Sequence, residues 1–258
     1  MNVAITGAAG NVGRQALLAL CGHEVTPITH HEHDELEGPT LDVTDRDAFA
    51  DALVGQDVLV HLAGNPSPDA EWEGVFEPNV GGTYNAYEAA RANGVDRVVF
   101  ASSNHAVQMH NVADPAEPES MREDAETVRP DDPTRPDSYY GVSKVAAEAI
   151  GDFYADCHGI EVVNLRIGWL MDEDELRETQ DDAGGDGTGE ARARFARAMW
   201  LSPGDCREAI ESAVEADLPE SSVTAHAVSR NDDRYLSLTE TTRKLGYRPR
   251  DDSAEVLE

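Results

Sequence analysis

Tyr140 and Lys144 stand four residues apart in Tyr140-Gly141-Val142-Ser143-Lys144, and on a helix that spacing puts both side chains on one face. A phenol has a pKa of about 10 and is a poor base at neutral pH. An ammonium beside it favours the phenolate, which makes the tyrosine a usable general base. Only two of the 20 basic residues are lysines, Lys144 and Lys244, so chance placement of one beside a tyrosine is a weak explanation. Ala101-Ser102-Ser103-Asn104-His105 supplies a hydroxyl to match. Ser103 can hydrogen-bond a reacting oxygen opposite Tyr140, and Asn104 and His105 can grip substrate hydroxyls; a structural Ser-Ser turn is the plainer alternative.

A second pattern lies at the start of the chain. Gly7, Gly10 and Gly13 follow an apolar run in Gly7-Ala8-Ala9-Gly10-Asn11-Val12-Gly13. Between a strand and a helix, such glycines allow a tight turn, close approach of backbone to a pyrophosphate, and helix-on-strand packing. Asn11 and Val12 then begin a helix whose free N–H groups and dipole face the phosphates. Downstream, Leu41-Asp42-Val43 reads as the close of a short strand. The Asp42 carboxylate there is suited to an adenine amino group, or is a surface acid. His61-Leu62-Ala63-Gly64 ends another strand, and Gly64 admits a ligand closely. The position that reads the ribose 2′-oxygen, normally an Asp or Glu, falls at Thr29, followed by His30, His31 and His33. A hydroxyl and imidazoles tolerate a 2′-phosphate better than a carboxylate would, so the cofactor is read as NAD or NADP. The histidines could instead bind a metal, although loop histidines at these spacings more often face solvent.

These groups need a frame that brings them together. Short β-branched runs at 2–6, 23–28, 57–62, 96–101 and 160–166 alternate with helical patterns, among them 80–93 and 138–158, the latter with Ser138 as N-cap and Gly159 as stop. Such alternation predicts βαβ units, an α/β fold with a Rossmann-like doubly wound parallel sheet covered by helices on both faces. Residues 1–168 are expected to form the dinucleotide-binding part. Residues 169–258 are expected to form a small substrate-binding part, with a helix around 204–217, a last sheet strand near 223–228 and a tail from 231. Residues 111–137, rich in Pro, Asp and Glu, read as a long loop. Residues 171–191, acidic and containing Gly184-Gly185-Asp186-Gly187, read as a flexible, solvated insertion, with a mobile lid as the alternative.

Composition excludes several functions. With 51 acidic against 20 basic residues the net charge is -31, which repels nucleic acid and anionic membranes. Apolar runs along most of the length argue against disorder. The expectation is an acidic, lysine-poor surface suited to molar intracellular salt, as in haloarchaea, where screening cuts the reach of self-repulsion to about 3 Å. No apolar run reaches the roughly 18–20 residues that span a bilayer, and with a first strand at once no leader is expected, so the location is read as cytoplasmic. Cys21, Cys157 and Cys206 lack CxxC spacing and read as buried or inert thiols.

Taken together, the glycine turn, Asp42, His61 to Gly64, Ser103 and Tyr140 to Lys144 resemble the extended short-chain dehydrogenase/reductase superfamily (NAD-dependent epimerase/dehydratase) over essentially the whole chain. More narrowly, Ser102-Ser103-Asn104-His105, Arg135 to Lys144, Arg166-Ile167-Gly168 and Trp200-Leu201-Ser202 look like hexuronate dehydrogenases and haloarchaeal NAD-dependent glucose-6-phosphate dehydrogenases. The resemblance implies oxidation of a sugar at its anomeric carbon. Tyr140 would take the C1 hydroxyl proton, hydride would pass to the nicotinamide, and a lactone would leave. It also implies that Lys144 bonds the nicotinamide ribose, that Ile167 lies at the cofactor, and that Ser67, Asn104, His105, Trp169 and Arg194 face the sugar. Three positions depart from those families. Thr29 replaces an acid, and Trp169 replaces a substrate-binding serine. Phe195 replaces the arginine that grips a carboxylate, with Arg192, Arg194 and Arg197 nearby to serve an anion or merely to charge a helix surface. A nucleotide-sugar epimerase or dehydratase, and a non-catalytic dinucleotide-binding sensor, are the competing functions. A homodimer through paired helices is an expectation from the resemblance alone.

Overall fold

The computed structural model describes residues 1–181 and 187–258. Its main sheet holds β1 (Asn2–Thr6), β2 (Glu24–Ile28), β3 (Val58–His61), β4 (Arg97–Ser103), β5 (Glu161–Ile167) and, after the two short strands β6 (Trp169–Leu170) and β7 (Trp200–Leu201), β8 (Ser222–Ala227). The order is β2-β1-β3-β4-β5-β8 and every pairing is parallel. The chain reverses its direction of growth between β1 and β3, so a crevice opens there at the carboxyl ends of the strands, where such sheets take ligands.

Period-two alternation explains the layers. Val3, Ile5, Val58, Val60, Val99, Val163 and Leu165 face one core with α1 (Asn11–Ala19) and α8 (Pro203–Glu215), including Ala16, Leu20 and Ile210. Ala4, Leu59, Val98 and Val162 face the other core. There they meet Phe49 and Leu53 around α2 (Arg46–Ala52), Tyr87 of α4 (Gly82–Asn93) and Tyr154 of α5 (Tyr139–His158). Two smaller apolar clusters, one around Phe195 and Tyr235 and one around Trp200 and Leu176, knit the C-terminal elements together.

Several expectations need correction. The run at 41–43 is not a strand: apart from a bridge between Thr29 and Thr40 the ladder stops. Asp42 instead accepts from Thr44 N at 2.9 Å and Thr44 Oγ1 at 2.8 Å, a side-chain turn that competes with pairing. The helix expected from residue 80 begins earlier, through α3 (Trp72–Val75) and a π-helical segment Phe76–Gly81. Within 171–191 the acidic stretch is largely helix, α6 (Glu173–Asp181) and the start of α7 (Gly187–Met199). Leu176 is fully buried under Trp200 and Met171, so one apolar anchor among charges folds the segment. Residues 182–186, with Gly184 to Asp186, lie outside the described residues. The segment from 231, expected as a plain tail, forms α9 (Thr239–Leu245) and α10 (Ser253–Leu257). Among the described residues, no helix is long and apolar enough to cross a membrane. Cys206 is buried, while Cys21 and Cys157 are exposed rather than buried.

Candidate active site

Ser138 caps α5, accepting from Gly141 N at 3.1 Å. The helix start then packs so tightly on the turn after β4 that a Cβ at Gly141 would lie 2.4 Å from the His105 carbonyl oxygen. This contact holds Tyr140 and Lys144 beside the end of β4, where Ser103, Asn104 and His105 emerge. All five line one cavity with Asn11, Val12, Leu62, Gly64 and Ile167 on the glycine-turn side. The opposite wall comprises Gly168, Trp169, Leu170, Phe195 and Glu119, and the loop after β3 adds Asn65, Pro66 and Pro68.

The electrostatics differ from the simple picture of an ammonium lowering a phenol. Burial pushes Tyr140 up to about 12, and the Asp137 charge adds to this, while a hydrogen bond with Ser103 opposes it. Burial likewise pushes the Lys144 ammonium down to about 8, against the favourable charge of Glu148. Lys144 Nζ donates to the Ala101 carbonyl at 2.7 Å and sits 5.5 Å from the centre of the Tyr140 ring. Desolvation acts on both groups at once and is the largest cause of either shift.

The glycine turn passes a direct test of fit for a dinucleotide. Gly7 has φ +66, and a Cβ at Gly13 would stand 2.2 Å from the Gly7 carbonyl oxygen, so neither position accepts a side chain. Gly10 leads into α1, whose first turn has no side-chain cap, and the free N–H groups suit a pyrophosphate. Gly64 carries φ +155, with the Asn79 side chain 2.7 Å from where its Cβ would be. Farther out, the Thr29 hydroxyl is spent on the His31 carbonyl at 2.7 Å. His30 Nε2 lies 3.7 Å from Asp42, whose pKa is lowered by the Thr44 hydrogen bonds and then by His30. Val43 packs under Gly82. His30 stacks on His31 at 4.3 Å, and among the described residues no group of three or more His, Cys, Asp or Glu side chains could hold a metal ion.

Two substrate assignments are not brought to the cavity. Arg194 donates to the Met121 carbonyl at 2.7 Å and lies 3.4 Å from Glu123, in a separate hollow with Arg197 and Asp233. The helical turn that buries Phe195 turns Arg194 to the other side. Ser67 sits between the wall-forming Pro66 and Pro68 with its amide held by Asn65 Oδ1 at 3.1 Å, and is not itself on the wall.

Several residues that the sequence did not single out complete the site. Asn79, on the π-helical segment, donates to Ser143 Oγ at 2.9 Å and to the Asn65 carbonyl at 3.0 Å, and accepts from Asn65 N at 2.7 Å. It thereby ties the loop after β3 to α5. Thr6 Oγ1 receives Leu62 N and Ala63 N at 3.1 and 3.2 Å and meets His61 Nδ1 at 2.8 Å. Burial, with the Lys144 charge, pushes His61 down to about 3, so it is neutral. Glu148 accepts from Arg166 Nε and Nη2, each at 2.8 Å, and from the Ser102 hydroxyl. Asp137 holds His105 Nδ1 at 2.8 Å. The Asn104 amide nitrogen is buried without a partner. A π-bulge leaves no sequence signature, but the three-residue step from Asp137 to Tyr140 is visible in the sequence.

Residues 3–173 match the family model described as NAD dependent epimerase/dehydratase family. L-arabinose 1-dehydrogenase (NAD(P)(+)) of Haloferax volcanii is 58% identical over 257 residues, 99% of either chain. The NAD-dependent glucose-6-phosphate dehydrogenase of the same organism is 36% identical over 265 residues, covering 98% of this chain and 94% of its own. The crystal structure of uronate dehydrogenase from Agrobacterium tumefaciens, in a mutant form complexed with NAD, superposes with TM-score 0.77 at 29% identity, over 98% of this chain and 86% of that one.

Proposed function

We propose that this chain, which belongs to the NAD dependent epimerase/dehydratase family, is an NAD(P)-dependent aldose 1-dehydrogenase that oxidises a neutral sugar of the L-arabinose type to its lactone. One observation carries the choice of a neutral sugar. Beyond Tyr140 and His105 the cavity wall is Trp169, Leu170, Phe195 and Glu119, and among the described residues Lys144 is its only Lys or Arg. Phe195 is buried against His105 and Trp169, with ring centres 6.0 and 5.9 Å away. Arg192 is turned to Glu119 at 2.9 Å and over Trp169 at 5.8 Å, not into the cavity. A carboxylate or phosphate would therefore meet aromatic rings and a glutamate already paired to Arg192, where it needs a free guanidinium fork. The 58% identity to an L-arabinose enzyme points the same way.

The nicotinamide, when bound, supplies the hydride acceptor. This chain's residues do the rest. Ser103 and Tyr140 hold the anomeric oxygen, and Tyr140 in its phenolate form, its own proton having first left by way of Lys144, takes the hydroxyl proton as the C1–H bond breaks and the C1=O bond of the lactone forms. Lys144 and Ala101 keep the phenol oriented, and Lys144 is poised near neutrality to pass a proton on. Asn104, His105 and Glu119 offer polar atoms to ring hydroxyls. Trp169 presents a flat apolar face to the C–H side of a sugar ring, and Phe195, buried behind it and His105, backs that wall and excludes water. Either nicotinamide dinucleotide is accepted, because neither Thr29 nor His30 presents a carboxylate to a 2′-phosphate. The acidic surface, with net charge -31, supports work in molar salt in the cytoplasm.

Steady-state rates in molar KCl test this reading. L-arabinose should exceed glucuronate and glucose 6-phosphate in kcat/KM by at least about a hundredfold, because an unpaired anion in such a site costs several kcal/mol. Equal or greater efficiency with either anion would overturn it. Exchanging Glu119 for Gln releases Arg192 from its partner and should narrow the gap by about tenfold, since the freed guanidinium can then approach the anion.

A further inference from the structure

His105 and Asp137 form a buried pair beside the reacting tyrosine. Their side chains are 7% and 1% exposed, and His105 Nδ1 lies 2.8 Å from Asp137 Oδ2. The other carboxylate oxygen, Oδ1, accepts the Ser138 hydroxyl at 3.0 Å, so both oxygens of Asp137 are engaged. The His105 ring meets Tyr140 edge-on at 5.6 Å and lies 6.0 Å from Phe195, which fixes its plane between the reacting phenol and the apolar wall. The backbone is equally constrained, since Gly141 leaves no room for a Cβ against the His105 carbonyl oxygen or, at 3.1 Å, against Asp137 Oδ1.

A neutral imidazole donates from one nitrogen and accepts at the other, and its partner decides which. An ionised carboxylate can only accept. With Asp137 on Nδ1, the proton of His105 must sit there, and Nε2 becomes the lone-pair nitrogen available to the cavity. We propose that Asp137 is a positioning residue that locks His105 in the Nδ1–H form, so that Nε2 accepts a hydrogen bond from the sugar hydroxyl next to the one Tyr140 deprotonates. Asp137 never touches substrate; it selects which face of the histidine substrate meets. The Asp137 charge adds to the rise at Tyr140, and hydrogen bonds from His105 Nδ1 and the Ser138 hydroxyl engage its two oxygens. The chemical requirement placed on the substrate is a hydroxyl at the carbon beside C1, able to donate. The proposal rests on the sugar occupying this cavity, as in the aldose dehydrogenase reading.

The lock is read directly from long-range 1H–15N correlation spectra of the histidine rings, with His105 identified among the nine histidines by its loss in His105→Gln. The wild-type chain should show the proton on Nδ1. Asp137→Ala should move the major form to Nε2–H and raise KM for L-arabinose by about tenfold or more, with kcat within about twofold and the dissociation constant for NADP unchanged. Asp137→Asn, whose carbonyl can still accept from Nδ1, should restore both the tautomer and most of KM. The variant also serves if the alanine form does not fold. For the wild-type enzyme, 2-deoxy sugar should show the raised KM without mutation. A wild-type proton on Nε2, or an Asp137→Ala enzyme with unaltered KM, would overturn the proposal. Failure of every aldose as substrate would instead refute the dehydrogenase reading and leave the tautomer result to stand by itself.

Discussion

Replacing Lys144 by methionine should remove a pH dependence that the fold carries because of this buried lysine. Burial lowers this ammonium from 10.5 to about 8, and at about 1.4 kcal/mol per tenfold change in proton affinity that fall amounts to about 3 kcal/mol. The sign follows from proton counting. Below about pH 8 both the folded and unfolded chains hold the proton, and the folded chain bears the full cost of burying the charge. Between about 8 and 10.5 the unfolded chain binds more protons than the folded one, so stability rises with pH through this window. Above it the amine is neutral in both states and the cost is gone. Urea unfolding in molar KCl, at pH about 7 and pH about 10, gives the difference in unfolding free energy between wild type and Lys144→Met. Contributions from all other titrating groups cancel in that difference. It should move in favour of wild type by roughly 2 to 3 kcal/mol on going to the higher pH. An unchanged difference would refute the idea that a desolvated ammonium sits beside Tyr140.

Exchanging Tyr140 for Phe should lower kcat by about a hundredfold to ten-thousandfold, the usual worth of a general base, while NADP affinity measured by fluorescence titration stays the same. Gly13→Ala places a Cβ 2.2 Å from the Gly7 carbonyl oxygen, so dinucleotide affinity by the same titration should fall by at least about tenfold, and affinity equal to wild type would show that the turn does not cradle the pyrophosphate. Glu148→Gln strands Arg166, whose side chain is 3% exposed. Chemical denaturation should then report a loss of about 3–5 kcal/mol, typical of breaking a buried ion pair.

Much of this was legible in the chain itself, for physical reasons. The inner strands β1, β3, β4 and β5 announce themselves as largely apolar, β-branched runs because parallel strands inside a sheet are buried on both faces, and the long helix α5 is bounded by Ser138 and Gly159, residues with local capping chemistry. The glycine turn stands out by its spacing, and so do Ser103, Tyr140 and Lys144, which the fold brings to one cavity, because the roles proposed for them demand particular residue types at short spacing. What escaped depends on contacts between distant segments. Asn79 braces Asn65 and Ser143 from a π-helical turn, and a bulge of one residue has no periodic signal. Arg194 reads as an anion grip until the phase of α7 is known; with Phe195 facing inward, its guanidinium goes to Met121 instead. The acidic stretch at 173–181 reads as solvated because only Leu176 reveals its buried side. The Tyr–Lys spacing points to a lowered phenol pKa, but desolvation, a property of the packed site, sets the direction at Tyr140 and raises it.

In the proposed reaction hydride leaves the anomeric carbon of a neutral sugar for a nicotinamide. The most direct measurement follows L-arabinose carrying deuterium at C1 through one turnover in molar KCl, with mass spectrometry of both products. Arabinonolactone free of the label and one deuterium on the reduced nicotinamide are expected. Sugar returned with its label displaced and no net reduction would mark an epimerase, and deuterium retained at C1 with no label on the nicotinamide would rule out hydride transfer from the anomeric carbon.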